Sequence, residues 1–145
     1  MTIQELTTID EMLEQFELIQ LLYPKMNRTT YREHLQAMLP NGYSQIALFD
    51  NQTCLGLTGC WFSTKLWTGK YLEIDNFIVH PASRSLGVGK KIIAFVEQKA
   101  KELNCNFIVL DAFTGNFSAH KFYYNHGYHP RGFHFVKIFD EKLVQ

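Results

Sequence analysis

Arg84-Ser85-Leu86-Gly87-Val88-Gly89-Lys90 decides how this chain is read. An apolar strand-like run, Phe77-Ile78-Val79, and a turn, His80-Pro81, precede it. An amphipathic pattern that runs to about Leu103 follows it. A strand, a glycine loop and a helix in that order present backbone N–H groups and the positive end of a helix dipole to an anion. Gly87 and Gly89 carry no side chain, so a phosphate can approach the backbone closely. Arg84, Lys90 and Lys91 add positive charge. The stretch therefore reads as a pyrophosphate site.

Two familiar glycine loops fail against it. A Walker A loop needs glycine where Arg84 stands and serine or threonine where Lys91 stands. A dinucleotide fingerprint needs a third glycine where Ile92 stands, at the start of a βαβ unit. What remains is Arg-x-x-Gly-x-Gly between a strand and a helix, in the middle of a short chain. After a second strand-like run, Phe107-Ile108-Val109-Leu110, comes Asn116-Phe117-Ser118-Ala119-His120-Lys121-Phe122-Tyr123-Tyr124-Asn125-His126-Gly127-Tyr128.

These two motifs, in this order, resemble the GNAT family of N-acyltransferases. The first resembles its acetyl-CoA pyrophosphate loop, Gln/Arg-x-x-Gly-x-Gly/Ala. The second resembles its Asn-x-x-Ala-x-x-aromatic-Tyr-x-x-x-Gly-aromatic signature. The match is close from Tyr71 to Val136 and holds only in outline over the first 60 or so residues. The resemblance implies an α+β fold, with a central mixed, mostly antiparallel sheet flanked by helices. It also implies an enzyme that moves an acetyl group from acetyl-CoA to a primary amine of a small molecule or peptide, by direct attack in a ternary complex. Two alternatives stay open: a catalytically silent acyl-CoA-binding module of the same fold, and an acyltransferase that uses another acyl-CoA.

Length and composition fit that reading. The chain has 145 residues, the size of one domain spanning 1–145, and 46% are hydrophobic, enough for a proper core. The formal net charge of zero argues against a nucleic-acid partner held by bulk charge. No run approaches the ~18 apolar residues of a membrane span, and the polar, acidic start does not read as a signal peptide. Cys54, Cys60 and Cys105 are odd in number and form no Cys-x-x-Cys, which suits reduced thiols in the cytoplasm.

Periodicity gives the element order. Thr2 to Leu6 reads as a strand. Thr8-x-x-Glu11 is a capping box for a helix that carries Met12, Leu13, Phe16, Ile19 and Leu22 up to Pro24. Thr30-x-x-Glu33 caps a second helix that ends before Pro40. Gln45 to Phe49 and Leu55 to Ser63 are strands joined at Asp50-Asn51-Gln52, and Tyr71 to Val79 is the next. Val88, Ile92, Phe95, Val96, Ala100 and Leu103 form the apolar face of the following helix. Phe107 to Leu110 is a strand, Asn116 to His126 a short helix closed by Gly127, and Phe133 to Phe139 a last strand.

N-acetyl transfer needs an amine freed of its proton, a polarised thioester carbonyl, a protonated leaving thiolate, and CoA held in line. Tyr123 is the candidate acid. In the resembled family a tyrosine at this place donates to the CoA sulfur, and a phenol is protonated at neutral pH. Taken without the signature, Tyr123 is one more aromatic beside Phe117, Phe122 and Tyr124. Asn116 suits a helix cap, and the resemblance adds a bond to the pantetheine arm. Glu73, eleven residues before Arg84, matches the catalytic glutamate of the histone-acetylating branch. Asp75 shares its strand face, and the two can relay a proton through water. Exposed strand carboxylates are the plain alternative. The backbone of Phe77, Ile78 and Val79 is implied to bond the acetyl carbonyl and the pantetheine. The CoA-binding set is then Phe77, Ile78, Val79, Arg84, Ser85, Leu86, Gly87, Val88, Gly89, Lys90, Asn116 and Tyr123.

Other clusters carry less. His120, His126, His129 and His134 match no zinc spacing, so no metal is expected. The cysteines pair with no histidine motif and read as buried thiols. Trp61, Phe62, Trp67 and Tyr71 suit an acceptor pocket, core packing or a homodimer contact.

Overall fold

The first strand, β1 (Thr2–Leu6), pairs antiparallel with β2 (Tyr43–Asp50), Ile3 lying opposite Leu48. The structure is a computed structural model that describes residues 1–145. After β1 the predicted capping box is present in both halves. Thr8 Oγ1 accepts from the Glu11 N–H, and Glu11 Oε2 accepts from the Thr8 N–H at 3.0 Å. The helix expected to run on to Pro24 is instead two, α1 (Ile9–Leu13) and α2 (Phe16–Leu22). The break at Gln15 frees carbonyls at the end of α1. Arg28 Nη1 donates to one of them, Leu13 O, at 3.1 Å.

α3 (Arg28–Met38) begins a turn earlier than Thr30 predicts. Asn27 is its cap, and its side-chain oxygen accepts from the Thr30 N–H at 2.8 Å. Asn caps at least as well as Thr, so the earlier start wins. Pro40 ends the helix in a 3-10 turn closed by the left-handed Gly42.

β2, β3 (Thr53–Lys65) and β4 (Gly69–Val79) form an antiparallel meander, and Asn51 takes positive φ in the first turn. The sheet runs β1-β2-β3-β4-β5. On one face Tyr43, Ala47 and Leu57 join Met12, Phe16, Ile19, Tyr31 and Leu35 of α1–α3 in a buried cluster. Each fully buried aliphatic side chain there is worth roughly 1.5–3 kcal/mol relative to exposure. The opposite face meets α4 (Val88–Glu102), whose Val88 and Ile92 side chains lie against Gly56. The buried face of α4 is Val88, Ile92, Ile93, Val96 and Ala100. Phe95, expected on it, is 36% exposed. At about 100° per residue it falls at the edge of the arc that Ile93 extends on the other side. Lys99 of α4 pairs with Glu5 of β1 at 2.6 Å.

β5 (Phe107–Leu110) lies beside β4 and closes the first of two compact units, Met1–Val109 and Leu110–Gln145. The second unit holds α5 (Phe117–Asn125) and a 3-10 turn at Glu141–Leu143. The expected strand at Phe133–Phe139 is not formed. Its backbone joins no ladder, and Phe133, Phe135 and Phe139 are 90–94% exposed. Apolar alternation makes a segment competent for a strand, but the strand itself exists only against a paired backbone.

Candidate active site

The loop after β4 has the backbone that the glycine pattern calls for. A short 3-10 turn, Pro81–Ser83, is fixed by His80 Nδ1, which accepts from the Ala82 N–H at 3.2 Å. Arg84 leaves that turn in extended conformation. Ser85 (φ 69°) and Gly87 (φ 74°) are both left-handed, and the Leu86 N–H between them bonds back to Ser83 O at 3.4 Å. Gly87 is the cap of α4, with open space where a Cβ would stand, and no side chain bonds the first turn of the helix. Arg84, Ser85, Leu86, Gly87 and Lys90 are exposed, Gly89 is half-buried and Val88 is buried beneath them. The first turn therefore offers uncapped donors, a dipole end and two cationic side chains to an anion.

β4 carries the acidic pair on the face turned toward α2. Glu73 lies opposite Trp61, Asp75 lies opposite Gly59, and both carboxylates are half-buried. Asp75 is tightly held. Its Oδ2 accepts from Trp61 Nε1 at 3.0 Å and its Oδ1 from the Asn76 N–H at 2.8 Å, while the Thr58 hydroxyl donates to its carbonyl oxygen at 3.0 Å.

Just beyond Asp75 the register slips. Leu57 pairs with Ile78 and Gly59 with Asp75, so Thr58 faces both Asn76 and Phe77, a β-bulge with Asn76 at φ 51°. The extra residue breaks the two-residue alternation and turns the Asn76 side chain onto the Asp75 face. There its Oδ1 accepts from the Tyr43 hydroxyl at 2.8 Å, and its Nδ2 donates to the Tyr23 hydroxyl at 2.6 Å. Gln45 Nε2 extends the chain of bonds, donating to Tyr31 Oη at 2.8 Å and Tyr43 Oη at 3.2 Å. Burial pushes the phenols of Tyr23 and Tyr43 up and that of Tyr31 up to about 12, so all three stay neutral. Strict alternation points Asn76 to the other face, so Asn76, Tyr23 and Tyr43 escaped the sequence reading. An Asn within a strand was the only signal. Phe77 completes the bulge, and with Ile78 and Val79 it continues β4 as half-buried strand.

In the second unit Asn116 caps α5. Its Oδ1 accepts from the Ala119 N–H and the Ser118 hydroxyl, both at 3.2 Å, so the cap function is realised while its amide N–H groups stay available. Gly127 ends the helix at φ 85°. Tyr123 is half-buried and packs against Phe122 and Tyr128. Burial pushes its phenol up to about 12. Tyr124 is 58% exposed, which separates the two neighbouring tyrosines.

The remaining clusters disperse. His120 bonds Phe113 O, His126 bonds Phe122 O and His134 bonds Asp111 Oδ2, each to a separate partner. All three cysteines are free, and burial pushes the Cys54 thiol up to about 11 and the Cys60 thiol up to about 12, the wrong direction for a nucleophile. Among the hairpin aromatics, Tyr71 is core, Trp61 is a donor to the site, and Trp67 lies edge-on to Phe107. No helix is long and apolar enough to cross a membrane.

Comparison with known proteins places the chain in a family. The acetyltransferase (GNAT) family model matches residues 9–128. An uncharacterized N-acetyltransferase of Bacillus subtilis, YhdJ, is 25% identical over 121 residues, covering 83% of this chain and 85% of its own. The aminoalkylphosphonate N-acetyltransferase of Salmonella typhimurium is 25% identical over 121 residues, covering 81% and 78%. The solved structure of AAC(6')-Iy in complex with the bisubstrate analog CoA-S-monomethyl-acetylneamine shares the fold, with a TM-score of 0.79 at 16% identity over 95% of this chain and 99% of that one. The chain belongs to the acetyltransferase (GNAT) family, and with it to the acyl-CoA-dependent N-acetyltransferases.

Proposed function

We propose that the protein transfers an acetyl group from acetyl-CoA to a primary amine of a small molecule or peptide, by direct attack in a ternary complex. The observation that carries this reading is the uncapped N-terminus of α4 beneath the left-handed Ser85 and Gly87. It supplies backbone donors where the CoA pyrophosphate needs them, and Arg84 and Lys90 add charge. The backbone of Phe77, Ile78 and Val79 holds the pantetheine and polarises the thioester carbonyl as negative charge develops on it. Asn116 bonds the pantetheine arm with the amide that its capping role leaves available.

Glu73 takes the proton of the acceptor ammonium, directly or through water, while Asp75, fixed by Trp61 and Asn76, holds the acceptor side polar. The amine attacks the carbonyl carbon and the C–N bond forms; the attached nitrogen sheds its second proton to water, the C–S bond breaks, and Tyr123 gives its proton to the departing thiolate and regains one from solvent. A phenol held neutral by burial suits an acid at neutral pH. The α1–α3 side of the sheet, where Tyr23 stands, offers the acceptor its seat. Acetyl-CoA chemistry and unpaired thiols both suit the cytoplasm.

The test is a panel of amines — an alkylamine, an aminoalkylphosphonate, an aminoglycoside and a lysine peptide — with free CoA thiol as the readout. Acetyl-CoA-dependent thiol release with at least one class is expected. Tight acyl-CoA binding without release from any amine would leave a binding module. Release with a longer acyl-CoA only would reassign the donor.

A further inference from the structure

We propose that Asn76 is a positioning residue, a clamp that ties helix α2 to the bulge in β4 and so aims the backbone of Phe77–Val79 at the thioester. The inference rests on the transferase reading above, which gives that backbone its role.

Three hydrogen bonds converge on this one residue. Its N–H donates to Asp75 Oδ1 at 2.8 Å, its Oδ1 accepts from Tyr43 at 2.8 Å, and its Nδ2 donates to Tyr23 at 2.6 Å. A residue at positive φ inside a strand persists only when its surroundings over-determine it. Asn tolerates the left-handed region better than other residues with a Cβ. Two of its partners are joined to each other. Tyr43 packs on Trp61 with ring centroids 5.0 Å apart, and Trp61 donates to Asp75 at 3.0 Å. The ring Asn76–Tyr43–Trp61–Asp75 therefore closes on itself, with Gln45 and Tyr31 buttressing Tyr43 from beneath.

The remaining bond, to Tyr23, leaves the ring. Tyr23 caps the C-terminus of α2, the element that packs over β4 on the acceptor side. One amide thus links the helix that meets the amine to the strand segment that meets the acetyl group. Asn76 and Phe77 are the two residues of the bulge, so any shift at Asn76 passes directly into Phe77 and the two residues after it. Misplacement of reacting groups by about 1 Å can cost on the order of 100-fold in rate.

Three variants separate the backbone from the clamp. Asn76→Gly keeps the left-handed backbone accessible and removes both side-chain bonds. In Asn76→Asp the side chain still accepts from Tyr43 and the Tyr23 hydroxyl can turn to donate to it, so the link survives, whereas Tyr23→Phe cuts it from the other end. We expect Asn76→Gly to lower kcat by about 10- to 100-fold, with a smaller rise in KM for acetyl-CoA, whose pyrophosphate the α4 loop still anchors. Tyr23→Phe should show a smaller loss, and Asn76→Asp, which keeps the link, should lose less than Tyr23→Phe. Amide hydrogen exchange over residues 74–79, which needs no turnover, should quicken in Asn76→Gly. Wild-type kcat and unaltered exchange in Asn76→Gly overturn the clamp. An equal loss of kcat and acetyl-CoA affinity, with a lowered Tm, makes Asn76 merely structural and overturns its positioning role. If the wild-type protein releases thiol with no amine, the transferase reading falls instead, and the exchange measurement still decides whether the clamp exists.

Discussion

The Tyr43 hydroxyl donates to Asn76 Oδ1 directly above Gly59. A Cβ built on Gly59 would stand 2.5 Å from that hydroxyl and 2.7 Å from that oxygen. The glycine is required by the bond that passes over it. Gly59→Ala must push Tyr43 and Asn76 apart, and the buried Tyr43 ring has little room to yield. We expect a loss of about 1–3 kcal/mol, the usual range for overpacking, measured by urea denaturation. Tyr43→Phe removes the nearest clashing atom and leaves Tyr43 Cε2 and Asn76 Oδ1, each at 2.7 Å, so the double variant should cost somewhat less than the sum of the two singles. Additive costs would show that Gly59 and the bond are unconnected.

The anion site predicts a thermal shift. A ligand at a hundredfold excess over its Kd stabilises by about 2.7 kcal/mol, several degrees in Tm for a chain of this size. Acetyl-CoA should raise Tm in the wild-type protein and leave Gly89→Glu unmoved. The glutamate places bulk and negative charge in the first turn of α4, where the pyrophosphate seeks bare N–H groups. Unchanged acetyl-CoA binding by calorimetry in that variant would remove the pyrophosphate from this loop.

The loop and the α5 cap were legible in the sequence because their chemistry is local. Gly87 and Asn116 act through their own backbone or the three residues beside them, so spacing alone reveals them. The β4 face was legible only in part. Glu73 and Asp75 share a side because the strand is regular up to that point. Asn76 joins them because β4 gains a residue relative to β3, and that depends on pairing with Thr58, which no single strand records. Likewise, the break between α1 and α2 is supported by Arg28, fifteen residues away from the carbonyl it bonds. The tail, 133–139, shows the converse: its apolar pattern is plain, but a strand needs a partner as well as a pattern.

Tyr123 and Tyr124 differ in burial, and that difference predicts which one acts. Tyr123→Phe should retain acetyl-CoA binding and lose about 100-fold in kcat, the lower part of the range for a positioned acid. Tyr124→Phe should be close to wild type. The Tyr123 phenol is pushed up to about 12, so it keeps its proton as pH rises and gives it up only near the top of the accessible range. The rate should therefore show no alkaline fall attributable to this group between pH 7 and about 10. A wild-type kcat in Tyr123→Phe would move the proton to Tyr124 or to water.

The base is tested best by a pH profile, because a single rate cannot separate proton removal from positioning. If Glu73 accepts the amine proton, it matters only while the acceptor arrives as ammonium. Glu73→Gln should then depress kcat/KM most at low pH. As pH rises toward the amine's own pKa, the acceptor loses its proton to solvent and the variant should recover much of its rate. Profiles that run parallel for wild type and Glu73→Gln would show that the carboxylate only shapes the site. Asp75 gives the internal control. Both of its oxygens already accept protein hydrogen bonds, from Trp61 and from the Asn76 N–H. Asp75→Asn should therefore disturb geometry at every pH rather than one limb of the curve. If the acidic limb belongs to Asp75→Asn instead, the roles of the two carboxylates are exchanged. If neither variant changes the shape, the proton leaves through solvent, and catalysis rests on orientation and carbonyl polarisation.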